Sequence, residues 1–98
     1  MRSHDLKCVP SQFEAVLSGE KPWEFRENDR DFMVGDELVL REWDPASPRC
    51  GSRRKGDEKY TGRAIRARVV YVLHGGRFGI PAGFCIMTLD CVELEGGE

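Results

Sequence analysis

Lys21, Glu24 and Arg26 stand three and two residues apart in a stretch, Gly19 to Asp31, where eight of thirteen residues are charged and the large aromatics Trp23 and Phe25 are interleaved among them. Residues of these types can do two kinds of chemistry. A lysine beside a glutamate can exchange protons with a bound water while an arginine stabilises an oxyanion. Alternatively, Lys21, Arg26 and Arg30 can donate to phosphate while Trp23, Trp43 or Tyr60 stacks an unpaired base, an interaction worth ~1–3 kcal/mol per base. Glu24 and Asn28 are then placed to read a base edge. The stretch holds three basic groups against five acids, which suits a base or nucleoside better than a phosphate backbone. The purely structural reading is a solvated edge strand, or a Lys21–Glu24–Arg26 ion-pair network ordering a rim.

Side chains alternate across a strand, so Trp23 and Phe25 are expected to anchor this one, with Lys21, Glu24, Arg26 and Asn28 displayed. Pro22 fixes its own φ and pushes Lys21 out of the helical region, which makes the entry rigid. Upstream, His4 to Val9 reads as a short strand with Leu6 and Cys8 on one face. Pro10 and Ser11 then open a helix of about two turns. Ser11 and Glu14 have the spacing of a capping box, Phe13, Val16 and Leu17 form a buried stripe, and Gly19 supplies the stop. Downstream, Asn28 to Asp31 reads as a turn and Glu37 to Trp43 as a strand apolar on both faces at Leu38-Val39-Leu40. Tyr60 to Leu73 reads as a long strand with Ile65, Ala67, Val69, Tyr71 and Leu73 on one face, and Phe84 to Leu94 as the last. Several strands with one early helix indicate an α+β, mostly β domain with a curled antiparallel sheet.

The 98 residues are expected to form one domain, 1–98, with a single modest core. No apolar run approaches the ~18 residues of a membrane span, and Met1 to Asp5 leads into charged sequence without a secretory apolar segment. A cytoplasmic protein is the expectation. The net charge of -2 conceals a division: residues 1–40 hold five Lys or Arg against nine acids, 41–77 ten against four, and 78–98 none against four. The basic middle suits an anion, and the acidic flanks oppose avid, sequence-independent nucleic-acid binding. Residues 45–59, with two prolines, two glycines and five Lys or Arg, read as one long mobile basic loop. Arg49, Arg53, Arg54 and Lys55 can fold over an anionic ligand or simply be solvated. Cys8, Cys50, Cys85 and Cys91 match neither a paired zinc site nor a redox dithiol. They are expected to be reduced, with only Cys50 open to solvent. His4 and His74 are too far apart in sequence to suggest a metal pair, and His4 is expected to hydrogen-bond near the cleft or cap the first strand. With no metal motif, phosphate loop or nucleophile elbow, no metal or cofactor is expected.

The runs His4-x-Leu6-Lys7, Phe13 to Lys21, Glu24-x-Arg26-x-Asn28-Asp29-Arg30, Val34-Gly35-Asp36, Leu40 to Asp44 and Tyr60-Thr61-Gly62-Arg63 resemble a small bacterial and phage family, the DUF3850 group, over nearly the whole chain. That group is similar to the ASCH domains of the PUA-like superfamily, which share the GxKxxExR segment from Gly19 to Arg26. The resemblance implies a PUA-like small β-barrel of five to six strands with one or two short helices and a cleft lined by Lys21 to Arg26. It further implies binding of RNA or a nucleotide-like ligand there, and the residue types read above put Lys21, Trp23, Glu24, Arg26, Asn28, Arg30, Trp43, Tyr60 and Arg63 forward as the binding residues. Two alternatives stay open. A branch of ASCH proteins resembling this chain hydrolyses the amide of an acetylated cytidine with the motif lysine, a threonine three residues later and a more distant glutamate. Lys21 matches the lysine, Glu24 stands where the threonine would be, and the insertion carrying the glutamate has no counterpart. Lys21 and Glu24 are then the catalytic candidates of an amidohydrolase acting on an acylated nucleoside. The second alternative is a phage or plasmid accessory protein whose basic loop engages a protein partner. A monomer without membrane contact is expected in each case.

Overall fold

Apolar and polar residues alternate strongly enough along this chain to give five strands, and the early apolar stripe gives one helix, in a computed structural model that describes residues 2–46 and 59–96. In chain order the elements are β1 (Ser3–Cys8), α1 (Pro10–Leu17), β2 (Trp23–Glu27), β3 (Glu37–Trp43), β4 (Tyr60–His74) and β5 (Phe84–Gly96). The strands form one sheet in the order β1-β3-β4-β5-β2, curled into a half-barrel. β1 runs parallel to β3, whereas the other neighbours are antiparallel. The expected all-antiparallel sheet is thus corrected at one edge. Parallel pairing needs a crossover of a dozen or more residues, and α1 with β2 provides it between β1 and β3.

The core lies in the hollow of the curl. β1 contributes Leu6 and Cys8, β3 Leu38 and Leu40, β4 Ile65, Ala67 and Val69, and β5 Cys85, Met87 and Leu89, with Phe13 and Val16 of α1 packed among them. Because Pro10 already occupies the first helical position, Ser11 lies inside the helix and cannot cap it. Val9 is the N-cap and makes no side-chain bond, so the expected Ser11–Glu14 box does not form. At the other end Gly19 has φ +88°. Its N–H donates to the Val16 carbonyl at 3.2 Å and the Lys21 N–H returns to Ala15 at 2.9 Å, which ends the helix and fixes the backbone of Lys21.

Two irregularities overturn face assignments made from strict alternation. The β4–β5 register slips between Val69 and Tyr71, and an extra residue reverses the faces beyond it. Val72 therefore packs against the core, and Tyr71, expected inside, is 57% exposed. A second slip lies opposite Arg66 and Arg68, where Cys91 takes φ 55° and is exposed rather than buried. Cys8 and Cys85 are buried. Cys50 and the basic residues Arg49, Arg53, Arg54 and Lys55 lie outside the described residues. His4, expected near the cleft or as a strand cap, is buried instead against Asp36, its Nε2 2.9 Å from Oδ2, with the Phe32 ring edge-on at 4.8 Å. No helix among the described residues is long and apolar enough to cross a membrane.

The β4–β5 hairpin closes where two backbones nearly touch. The Gly75 N–H donates to the Phe84 carbonyl at 2.8 Å. A Cβ at Gly75 would stand 2.0 Å from the Pro81 carbonyl oxygen and 2.7 Å from that of Phe84, so any side chain must part the strands. Gly75→Ala is expected to destabilise the fold by ~1–3 kcal/mol, as overpacking does. Urea unfolding reads this as a lowered midpoint, and an unchanged midpoint would contradict the contact.

Candidate functional site

The half-barrel leaves β1 and β2 as its two edges, with no ladder between them. Edge carbonyls still require donors, and here two arginines supply them. Arg26 Nη2 donates to the Lys7 carbonyl, and Arg30 Nη1 to the Asp5 carbonyl at 2.8 Å. A cleft of about 530 Å³ occupies the gap. The end of β1 and the start of α1 line one side, and β2 lines the other.

β2 turns its charged face into this cleft. Glu24 is 4% exposed, whereas Trp23 and Phe25 are 41% and 44% exposed, the reverse of the orientation expected from the sequence. Pairing with β5 decides it. Glu24 lies opposite Met87 and Arg26 opposite Cys85, both core residues, and directly paired residues share a face. The rings are left outside, where Phe25 stacks on Phe84 at 5.5 Å.

Glu24 is held on both sides and satisfied on one. Arg26 Nε donates to Oε2 at 2.7 Å, while Lys21 Nζ stands 3.7 Å from Oε1. Lys21 is itself engaged elsewhere: Nζ donates to Gln12 Oε1 at 2.7 Å and lies 4.9 Å from the centroid of Trp23. Oε1 of Glu24 is consequently buried without a hydrogen-bond partner. Cys8 shares the cleft wall. Burial first, and then the Glu24 charge, push its thiol from 9.0 up to about 11, against the opposing pull of Lys21 and Arg26. At neutral pH it is a protonated wall residue, unsuited to nucleophilic attack.

With this geometry in view, comparison with known proteins places the chain. Residues 3–89 match the family described as a domain of unknown function, DUF3850. The chain belongs to the DUF3850 family. It is also 35% identical over 69 residues to the uncharacterized 12.9 kDa protein in the GpA 3′ region of Escherichia phage P2, a match covering 70% of this chain and 52% of that protein. The chain therefore spans about half the length of the curated relative it matches.

Of the site residues expected from sequence, this DUF3850 protein brings Lys21, Trp23, Glu24 and Arg26 together at the cleft. Asn28, Arg30, Trp43, Tyr60 and Arg63 are not among its lining residues, and each has a structural occupation. Asn28 Oδ1 accepts the Phe32 N–H at 2.9 Å and fixes the turn after β2, while Arg30 serves the Asp5 carbonyl. Trp43 and Tyr60 are a cross-strand pair. Lys7 Nζ sits 4.2 Å from the Trp43 ring centroid and the Arg41 guanidinium 4.1 Å from that of Tyr60. Arg63 neutralises the buried Glu42, with Nε 2.8 Å from Oε1, and lies over the Phe13 ring. The Thr61 hydroxyl donates to the same Glu42 oxygen at 2.7 Å. Sequence reasoning missed Lys7, Val9, Gln12 and Phe84, which line the cleft from other elements. Only the folded sheet order brings these segments beside β2.

Two buried carboxylates outside the cleft set the acid sensitivity. Hydrogen bonding from Arg63 first, helped by Thr61, overrides burial and holds the Glu42 carboxyl below its ordinary 4.5. At Asp36 burial pushes upward, but bonds from His4, the Met33 N–H and Arg2 outweigh it and leave the carboxyl below 3.8. A carboxyl depressed by folding contributes stability that is present above its unfolded pKa and lost as pH falls through the folded value. Urea midpoints are therefore expected to hold level at neutral pH and fall steadily below pH ~4. Glu42→Gln should flatten part of that slope, and an identical slope would count against the Arg63–Glu42 pair as its source.

Proposed function

We propose that this protein binds an unpaired RNA base, or a nucleotide-like ligand that presents one, in the cleft between β1 and β2. The observation that carries the reading is the unpartnered Oε1 of Glu24. A buried acceptor without a donor favours a ligand that brings an N–H, as the edges of nucleobases do. Trp23 and Phe25, on the outer side of β2, are half-exposed at the rim of the same cleft, which supports stacking at the rim as the second component of recognition. The cleft volume falls in the ~300–1,000 Å³ range of small-ligand sites. It suits a splayed base and not a duplex.

One observation favours amide hydrolysis as a second reading. Lys21 Nζ, the Glu24 carboxylate and the Arg26 guanidinium meet within 3.7 Å and 2.7 Å contacts, the kind of group set that moves a proton on a bound water. The protein-partner reading turns on the basic loop, whose residues 47–58 lie outside the described ones.

An NMR titration with short single-stranded oligonucleotides and free nucleosides tests the proposal. Shifts are expected at Lys21, Trp23, Glu24 and Arg26. Trp23→Ala is expected to weaken binding by ~1–3 kcal/mol. Perturbations confined to residues 49–59, or none at all, would refute the assignment. Release of acetate from an acetylated nucleoside, abolished in Lys21→Ala, would move the conclusion to the hydrolytic reading.

A further inference from the structure

We infer that the cleft takes its ligand as a nucleoside phosphate, with the base edge on Glu24 and the phosphate at the amino-terminal end of α1. The inference rests on the nucleobase reading above and adds a second subsite to it.

α1 begins at the cleft, since its N-cap Val9 and the first-turn residue Gln12 both line it. The first turn of any helix carries N–H groups with no intrahelical acceptor. Here Val9 offers no side-chain cap, and the first turn contains no acid. Pro10 has no N–H. The first intrahelical bond runs from the Phe13 N–H to the Val9 carbonyl at 2.9 Å. The Ser11 and Gln12 N–H groups are left without a protein acceptor among the described residues. Such a turn, carrying the positive end of the helix dipole, favours an oxyanion. Lys21 adds a full positive charge, because its ammonium is bonded to the Gln12 side chain on that same turn.

Glu24 points to a ligand independently of the helix. Its side chain is only 5% exposed, and Oε1 has no hydrogen-bond partner. That oxygen calls for a neutral or cationic donor and repels a free anion. The β2 side of the cleft carries the carboxylates of Glu24 and Glu27 beside Arg26, whereas the start of α1 adds no acid to the other side. A bare phosphate satisfies only one side, and a bare nucleoside only the other. A nucleoside joined to a phosphate satisfies both, with Lys21 between them, 2.7 Å from Gln12 Oε1 and 3.7 Å from Glu24 Oε1. The phosphate belongs either to a mononucleotide or to the internucleotide phosphodiester of a single strand.

Isothermal titration with adenosine, cytidine and guanosine, their 5′-monophosphates, unphosphorylated trinucleotides and inorganic phosphate tests this on the full chain. At least one monophosphate or trinucleotide is expected to bind about tenfold or more tighter than its nucleoside, with inorganic phosphate weakest. A preference for trinucleotides assigns the phosphate to a backbone, and a preference for monophosphates to a free nucleotide. Val9→Asp supplies the missing cap, so it should raise the thermal midpoint while occupying the same N–H groups with a negative charge. It is expected to erase the advantage conferred by phosphate, read as the ratio of phosphorylated to nucleoside affinity within the variant. Val9→Asn should do the same through the cap alone, with a smaller effect. Equal affinity for nucleoside and phosphorylated forms, or a phosphate advantage that survives Val9→Asp, would overturn the second subsite and leave the nucleobase reading standing. Binding of none of the nucleic-acid ligands would overturn both.

Discussion

The Arg26 guanidinium spans the gap between the two edge strands, bound through Nε to Glu24 on its own strand and through Nη2 to the Lys7 carbonyl on the other. Strands joined by a ladder lie about 4.8 Å apart and leave no room between them. Strands joined by an arginine side chain are held further apart, and the space beneath becomes a groove. The cleft is therefore a consequence of how the seam is closed. Arg30, reaching the Asp5 carbonyl two residues along β1, repeats the device and holds the seam at a second point. Each arginine thus has a defined partner on the β1 edge, the Lys7 carbonyl for Arg26 and the Asp5 carbonyl for Arg30.

Three carboxylates are buried among the described residues, Glu24, Asp36 and Glu42, and comparing them separates structure from site. Asp36 collects His4, the Met33 N–H and Arg2. Glu42 collects Arg63 on both oxygens and the Thr61 hydroxyl on one. Both have the full coordination that makes an interior charge tolerable. Glu24 has one hydrogen bond on one oxygen. The same fold that saturates two carboxylates leaves the third incomplete, and it is the one that lines the cleft.

Much of this was legible in the sequence where one physical signal acts alone. Glu37–Trp43 emerges with its expected bounds because apolar residues and flanking turns agree there, and Phe13 with Val16 forms the buried helix stripe because only that face is apolar. Where two signals compete, the sequence was silent. In Trp23 to Arg26 both faces carry a reason to be inside, rings on one and pairable charges on the other, and alternation alone does not choose. Registration against Cys85 and Met87 chooses. The bulges at Tyr71 and Cys91 were likewise invisible, since a bulge changes which residues face inward without changing their types. The convergence of Val9 and Gln12 on β2 depends on the parallel β1–β3 pairing, a property of topology and not of any local pattern.

An isolated fold gains nothing from the open oxygen of Glu24. Leaving a buried acceptor unsatisfied costs ~1–3 kcal/mol, and an apolar side chain of similar volume in place of a buried charge is often neutral or stabilising. Lys21 is the nearest relief at 3.7 Å, yet it is fixed by its 2.7 Å bond to Gln12 and its place against Trp23. Its ammonium has donors to spare, but it lies nearer to Gln12 than to Oε1. The deficit therefore belongs to the folded arrangement itself, in which Oε1 is buried with the Lys21 ammonium 3.7 Å away. On the nucleobase reading, an incoming N–H meets an acceptor already ordered when the sheet curled and Arg26 closed the seam, which lowers the entropic cost of binding.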